Sequence, residues 1–200
     1  MNKNFLQNAE FIGSFPSLDK LPEDQGSEIA FCGRSNSGKS SVLNALTNNK
    51  KLAKTSKTPG RTQAVNIFKI IDSLEYKIID LPGYGYAKVS KKLRADWGVN
   101  IDNYLNTRQC LKGLVLIMDI RHPFKDEDLT LIDWCERKNL PFILLLNKSD
   151  KLSNNKALQV LAMSNERISH LYTKNSILVT SAKTKNGIKE LIKSINSLLV

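Results

Sequence analysis

The sequence is poor in the residues that build metal centres and disulfide frameworks. Its 200 residues include three cysteines, Cys32, Cys110 and Cys135, and two histidines, His122 and His170. An odd cysteine count without paired or ligand-like spacing argues against both a disulfide scaffold and a zinc site. The three thiols then read as small buried hydrophobes in a reducing compartment. No apolar run is long enough to cross a bilayer, and the first 25 residues lack the continuous apolar stretch of a signal peptide, so a soluble, cytoplasmic protein without a membrane partner is expected. Internal repeats and low-complexity tracts are missing as well. Acidic residues are outnumbered: 30 Lys and Arg face 19 Asp and Glu, a formal charge of +11 and a pI near 9.6. That balance fits a polyanionic partner such as nucleic acid, although a genome biased toward Asn, Ile and Lys would also give a basic surface. The cations fall in two clusters, Lys50, Lys51, Lys54, Lys57 and Arg61, then Lys88, Lys91, Lys92 and Arg94.

What the chain does have is room for one domain with a substantial core. Residues 1–24 are polar, carry Pro16 and Pro22, and offer only Phe5, Leu6, Phe11, Ile12 and Phe15 as an apolar cluster, which reads as an arm laid on a domain spanning 25–200. In that domain Ile29 to Cys32 is a short apolar run before a helical pattern over Ser40 to Thr47. Asn66–Asp72 and Glu75–Asp80 read as a hairpin around Ser73-Leu74. A long polar helix is expected over Ser90–Arg108, with Leu93, Trp97, Ile101, Tyr104 and Leu105 as its apolar stripe. Leu114–Met118 and Phe142–Leu146 are continuous apolar runs, the signature of strands covered on both faces. Helices are predicted over Asp126–Arg137, Asn154–Ser169 and Asn186–Leu199, and a last strand over Ile177–Val179. This alternation predicts a three-layer α/β sandwich whose six-stranded sheet is mostly parallel with one antiparallel strand.

Four segments fall on the loops at the carboxyl ends of those strands, where such sheets bind ligands. Gly33-Arg34-Ser35-Asn36-Ser37-Gly38-Lys39-Ser40 has the spacing G-x-x-x-x-G-K-S of a phosphate loop, with Ser41 following. Its glycines let backbone N–H groups point at phosphates, Lys39 meets the β- and γ-phosphates, and Ser40 is placed for Mg²⁺. Asp80-Leu81-Pro82-Gly83 follows, then Asn147-Lys148-Ser149-Asp150, then Thr180-Ser181-Ala182-Lys183. D-x-x-G alone is nearly worthless, arising by chance in about every second chain of this size; N-K-x-D does so in about one in twenty, so the ordered series carries the weight. Together they define a guanine-nucleotide switch with GTP or GDP and Mg²⁺ as ligands.

Each residue has an expected task. A carboxylate accepts from guanine N1–H and the 2-amino group but finds no matching donors on adenine, which makes Asp150 the base selector. Asn147 secures the loop near the purine edge, Lys148 lays its stem along the ring, and the backbone around Ser181 and Ala182 donates to O6, with Lys183 beside them. Ser40 and Thr62 are the expected Mg²⁺ ligands, with Asp80 acting through water. Thr62 is preferred to Thr58 because the latter precedes a proline. Gly83 gives its N–H to the γ-phosphate. Lys39, Thr62 and Gly83 are thus the expected catalytic groups. Tyr84 stands where Ras-like proteins carry the glutamine that orients water, so slow hydrolysis is expected. Arg61, a partner, or a potassium ion held by Asn36 at the fourth loop position could compensate; a turn-forming role for Asn36 weighs equally. A GTP-sensing module with negligible hydrolysis is the main alternative, and a P-loop small-molecule kinase a lesser one, because it gives Asn147–Asp150 no task.

At Asp80-Leu81-Pro82-Gly83-Tyr84-Gly85-Tyr86-Ala87 the chain resembles the EngB family of bacterial ribosome-assembly GTPases. The phosphate loop through Ser41, Lys57-Thr58-Pro59-Gly60-Arg61-Thr62-Gln63, Asp119-Ile120-Arg121-His122-Pro123 and the Trp97 helix are similar to that family's pattern, from about Phe5 onward. Asn147 departs from it, since the family often has threonine there. The resemblance implies a single P-loop GTPase fold, GTP and Mg²⁺, and a role in maturing the large ribosomal subunit through rRNA and ribosomal proteins. A monomer is expected.

Overall fold

The computed structural model describes residues 4–53, 64–70, 75–85 and 101–199. Its elements are β1 (Ala9–Phe15), β2 (Ser27–Gly33), α1 (Lys39–Leu46), β3 (Val65–Ile70), β4 (Tyr76–Asp80), a helix α2 over 101–107, β5 (Leu111–Asp119), α3 (Asp126–Lys138), β6 (Phe142–Asn147), α4 (Asn154–Ile168), β7 (Asn175–Val179) and α5 (Ile188–Leu199).

Seven strands form one sheet in the order β1-β3-β4-β2-β5-β6-β7. β3 is antiparallel to both its neighbours, β1 and β4, and the remaining pairings are parallel. The sheet therefore has one counter-running strand, as expected, but seven strands instead of six. The addition is β1, inside the segment read as an arm. It pairs with β3 through a register shift between Phe11 and Gly13. Its side chains lack the alternation of a half-buried strand, with Phe11 and Ile12 exposed, so backbone hydrogen bonding to an open sheet edge carries it.

The central strands are mostly apolar because both faces are covered, with Glu28 of β2 a buried charged exception. Along β5, Leu114, Leu116 and Met118 enter one core with Ile101, Tyr104 and Leu105 of α2 and Leu131, Ile132 and Cys135 of α3. Val115 and Ile117 enter the other with Leu43 and Leu46 of α1 and Leu191 and Ile195 of α5. Each fully buried Leu or Ile contributes about 1.5–3 kcal/mol by leaving water. All three cysteines are free and buried. α3 ends at Asn139, which takes the left-handed conformation (φ 49°) two residues before Pro141, and its N-terminus is capped by Asp128 accepting from Lys125 N–H at 2.9 Å. Residues 71–74, which include the expected hairpin turn, and most of the helix expected over Ser90–Arg108 lie outside the described residues. No described helix is long and apolar enough to cross a membrane.

Candidate nucleotide-binding site

The loops after β2, β4, β6 and β7 converge at the carboxyl end of the sheet. β2 sits between β4 and β5, and its last residue begins the phosphate loop. A Cβ on Gly33 would lie 2.5 Å from the Ile117 carbonyl oxygen, and Gly38, at φ 96°, brings the loop so close to β6 that a Cβ there would lie 2.4 Å from Asn147 Nδ2. α1 starts directly at Lys39, so the free N–H groups of its first turn and its positive dipole end face the loop.

The side chains pre-arrange one another. Asp80 is buried at the tip of β4, pairs with Lys39 Nζ through Oδ1, and accepts from Asn66 Nδ2 through Oδ2 at 3.2 Å. Asn147, 1% exposed, donates to the Ser37 carbonyl at 2.9 Å and accepts from Ala182 N–H at 3.2 Å, tying the phosphate loop to the loop after β7. Lys148, held at φ 67°, reaches the Asn36 carbonyl and Asp119 Oδ2, the latter at 3.0 Å. Asp119 also accepts from Arg121 Nε and Nη2 at 2.9 and 2.6 Å. Burial raises the Asp119 pKa, but the Arg121 and Lys148 hydrogen bonds outweigh it and hold the carboxyl well below the usual range. Asp150 accepts from Ser181 Oγ at 2.7 Å, the main cause of its lowered pKa, and so stays ionised at neutral pH. An open cleft of about 470 Å³ lies among Gly38, Ser41, Asn147, Asp150, Ala182 and Lys183.

The structure thus brings together Gly33 through Ser41, Asp80, Gly83, Asn147, Lys148, Asp150, Ser181, Ala182 and Lys183. Thr62 and Thr58 lie outside the described residues, as do Arg61, Lys54 and Lys57 and the whole Lys88–Arg94 cluster. Without nucleotide, Ser181 N–H donates to the Asn186 carbonyl at 3.0 Å, Ala182 N–H donates to Asn147 Oδ1 at 3.2 Å, and the Ser181 hydroxyl donates to Asp150. The turn after Lys183 folds Asn186 back onto Ser181 as an isolated bridge. Two contributors carried no site role in the sequence analysis: Asp119 and Asn66. Only Asp119 had a visible signal, as an acidic residue ending an apolar run.

Among the described residues no three His, Cys, Asp or Glu side chains cluster as a metal site. Ser40 and Asp80 offer a hard, oxygen-only pair, which suits Mg²⁺ when nucleotide phosphates supply further oxygens.

The fold and the site define a P-loop domain of the GTPase class. A family model described as "50S ribosome-binding GTPase" matches residues 28–148. The protein named "Probable GTP-binding protein EngB" in Haemophilus influenzae (strain PittEE) is 47% identical over 93% of this chain and 90% of its own. Its namesake in Mannheimia succiniciproducens is 46% identical over 94% and 90%. The chain belongs to the EngB family of GTP-binding proteins. In fold it is similar to the crystal structure of a probable GTP-binding protein engB, with TM-score 0.70, 23% identity and coverage of 86% of this chain and 98% of that one. It is also similar to Aquifex aeolicus Era bound to GDP.AlF4-, with TM-score 0.69, 23% identity and coverage of 88% and 57%.

Proposed function

We infer that the protein is a switch that binds GTP or GDP with Mg²⁺, hydrolyses GTP slowly, and acts on the large ribosomal subunit or its precursors. The observation carrying this reading is the convergence of Lys39, Asp80, Asn147, Lys148 and Asp150 at one end of the sheet, each held by a neighbour before any ligand arrives. Preorganised groups of this kind lose little freedom on binding. Phosphates draw Lys39 from Asp80, while the ionised Asp150, oriented by Ser181, accepts from guanine N1–H and the 2-amino group. ATP would leave that carboxylate unpaired, at a cost of about 1–3 kcal/mol. Mg²⁺, when bound, neutralises phosphate charge, and Ser40 with Thr62 would hold it while Asp80 acts through water. The ribosomal part rests on the description of the matching family model and on the +11 charge, which suits rRNA phosphates.

Sedimentation with large-subunit precursors tests the whole reading: co-sedimentation with a non-hydrolysable GTP analogue but not with GDP is expected, and equal behaviour in both states would refute it. The sensor alternative draws support from Tyr84, which is 3% exposed, so its side chain is turned into the core and does not stand where it could orient an attacking water. Single-turnover hydrolysis with and without potassium and ribosomal particles separates the two. A rate indifferent to both favours the sensor and removes the potassium role of Asn36.

A further inference from the structure

Gly83 sits on a bulge with two buried feet. Beyond β4 the chain continues along β2 and the phosphate loop: Leu81 N–H donates to the Phe31 carbonyl at 3.0 Å, Tyr84 N–H to the Gly33 carbonyl at 3.3 Å, and Ser35 N–H to the Tyr84 carbonyl at 2.7 Å. Between the first two bonds the β2 side advances two residues and this side three, so Pro82-Gly83 carries the surplus and is lifted out of line. Leu81, 0% exposed, is one foot and Tyr84 is the other. The Tyr84 hydroxyl donates to Asp128 Oδ1 at 2.5 Å, while the other Asp128 oxygen caps α3. Asp128 is itself 1% exposed. Its carboxylate therefore fastens the foot beside Gly83 to the N-terminal turn of a helix in the far layer. A buried phenol requires a hydrogen-bond partner, and here that partner is the residue that ties the bulge to α3.

We propose that Tyr84 is a positioning residue for GTP recognition: through Asp128 it fixes the bulge that presents the Gly83 N–H to the γ-phosphate. This rests on the reading of Gly83 given above. Because GDP has no γ-phosphate, the device discriminates between the two nucleotides, a property that a packing role alone would not confer.

The test is Tyr84→Phe, which keeps the ring and removes only the hydroxyl, with calorimetric affinities for GDP and a non-hydrolysable GTP analogue in Mg²⁺. Analogue affinity is expected to fall about three- to tenfold with GDP affinity unchanged. Asp128→Ala, which removes the acceptor of the Tyr84 hydroxyl, gives the second arm. In the double variant the loss of analogue affinity is expected to be less than the sum of the single losses, because both remove one link. Equal losses for both nucleotides, no loss, or strict additivity would overturn the proposal. Failure of the parent protein to bind either nucleotide would overturn the Gly83 reading first and the proposal with it.

Discussion

The two ends of the sheet each hold a tyrosine that donates to a buried carboxylate, and their surroundings differ. At the amino end, Tyr104 donates to Glu28 Oε2 at 2.8 Å, and Arg108 grips the same carboxylate through Nε at 3.2 Å and Nη2 at 2.7 Å. Glu28 is wholly buried, with Lys77 at 3.7 Å. Arg108 also donates to the carbonyls of Pro22 and Glu23, fastening the chain before β2 to the end of α2. At the carboxyl end, Asp128 takes one phenol and one backbone N–H. Burial raises its pKa, and the hydrogen bonds from Tyr84 and Lys125 only partly oppose this. One carboxylate is neutralised by a fixed cation and closes a structural knot; the other is held by neutral donors beside a ligand site. The same pair of groups thus serves stability at one end and ligand placement at the other.

Substitutions at the amino end should therefore change stability and spare nucleotide preference. Glu28→Ala has the largest expected effect, a loss of about 3–5 kcal/mol in urea unfolding at neutral pH, because it removes the main carboxylate partner of a mostly buried guanidinium. A loss below about 1 kcal/mol would break the comparison. At the other end, Asp150→Asn should leave unfolding nearly unchanged and cost about 1–3 kcal/mol of GTP affinity by calorimetry. Xanthosine triphosphate, which carries a carbonyl where guanine has its 2-amino group, should regain what GTP loses; unchanged GTP affinity would sink the assignment of Asp150. The smallest effect concerns Asp24. Burial raises its pKa, but hydrogen bonds from Cys110 and Gln109, with Arg108 nearby, bring it from 3.8 to about 2. A carboxyl with a lowered native pKa stabilises the fold above about pH 4, and that contribution disappears as the pH falls toward 2. Acid unfolding should lose part of this slope in Asp24→Asn, while nucleotide affinity at neutral pH stays as it was.

Much of the site was legible because its chemistry is local. Phosphate loops need glycine at fixed spacing, and N-K-x-D must follow a strand, so Gly33 to Ser40 and Asn147 to Asp150 could be read directly. The helices were legible for a similar reason: Asp126–Lys138 and Asn154–Ile168 carry their own periodicity and stops. β1 was not, because Phe11 and Ile12 remain exposed and only the open edge of β3 makes this segment a strand. Asp128 could not be assigned either, and Asp119, although it ends an apolar run, gave no hint of its partner. Each is one acid among many until the fold sets a Tyr84 hydroxyl or a Lys148 ammonium against it.

By itself the sequence determined the ligand class, because guanine and triphosphate recognition depend on residue types at short fixed spacings that any strand-to-turn geometry preserves. The tertiary structure alone decided what Tyr84 does and how Ser181 contributes. Those roles depend on which groups lie within hydrogen-bond reach across the sheet, and bonds between residues 84 and 128 or 150 and 181 leave no periodic trace in the chain.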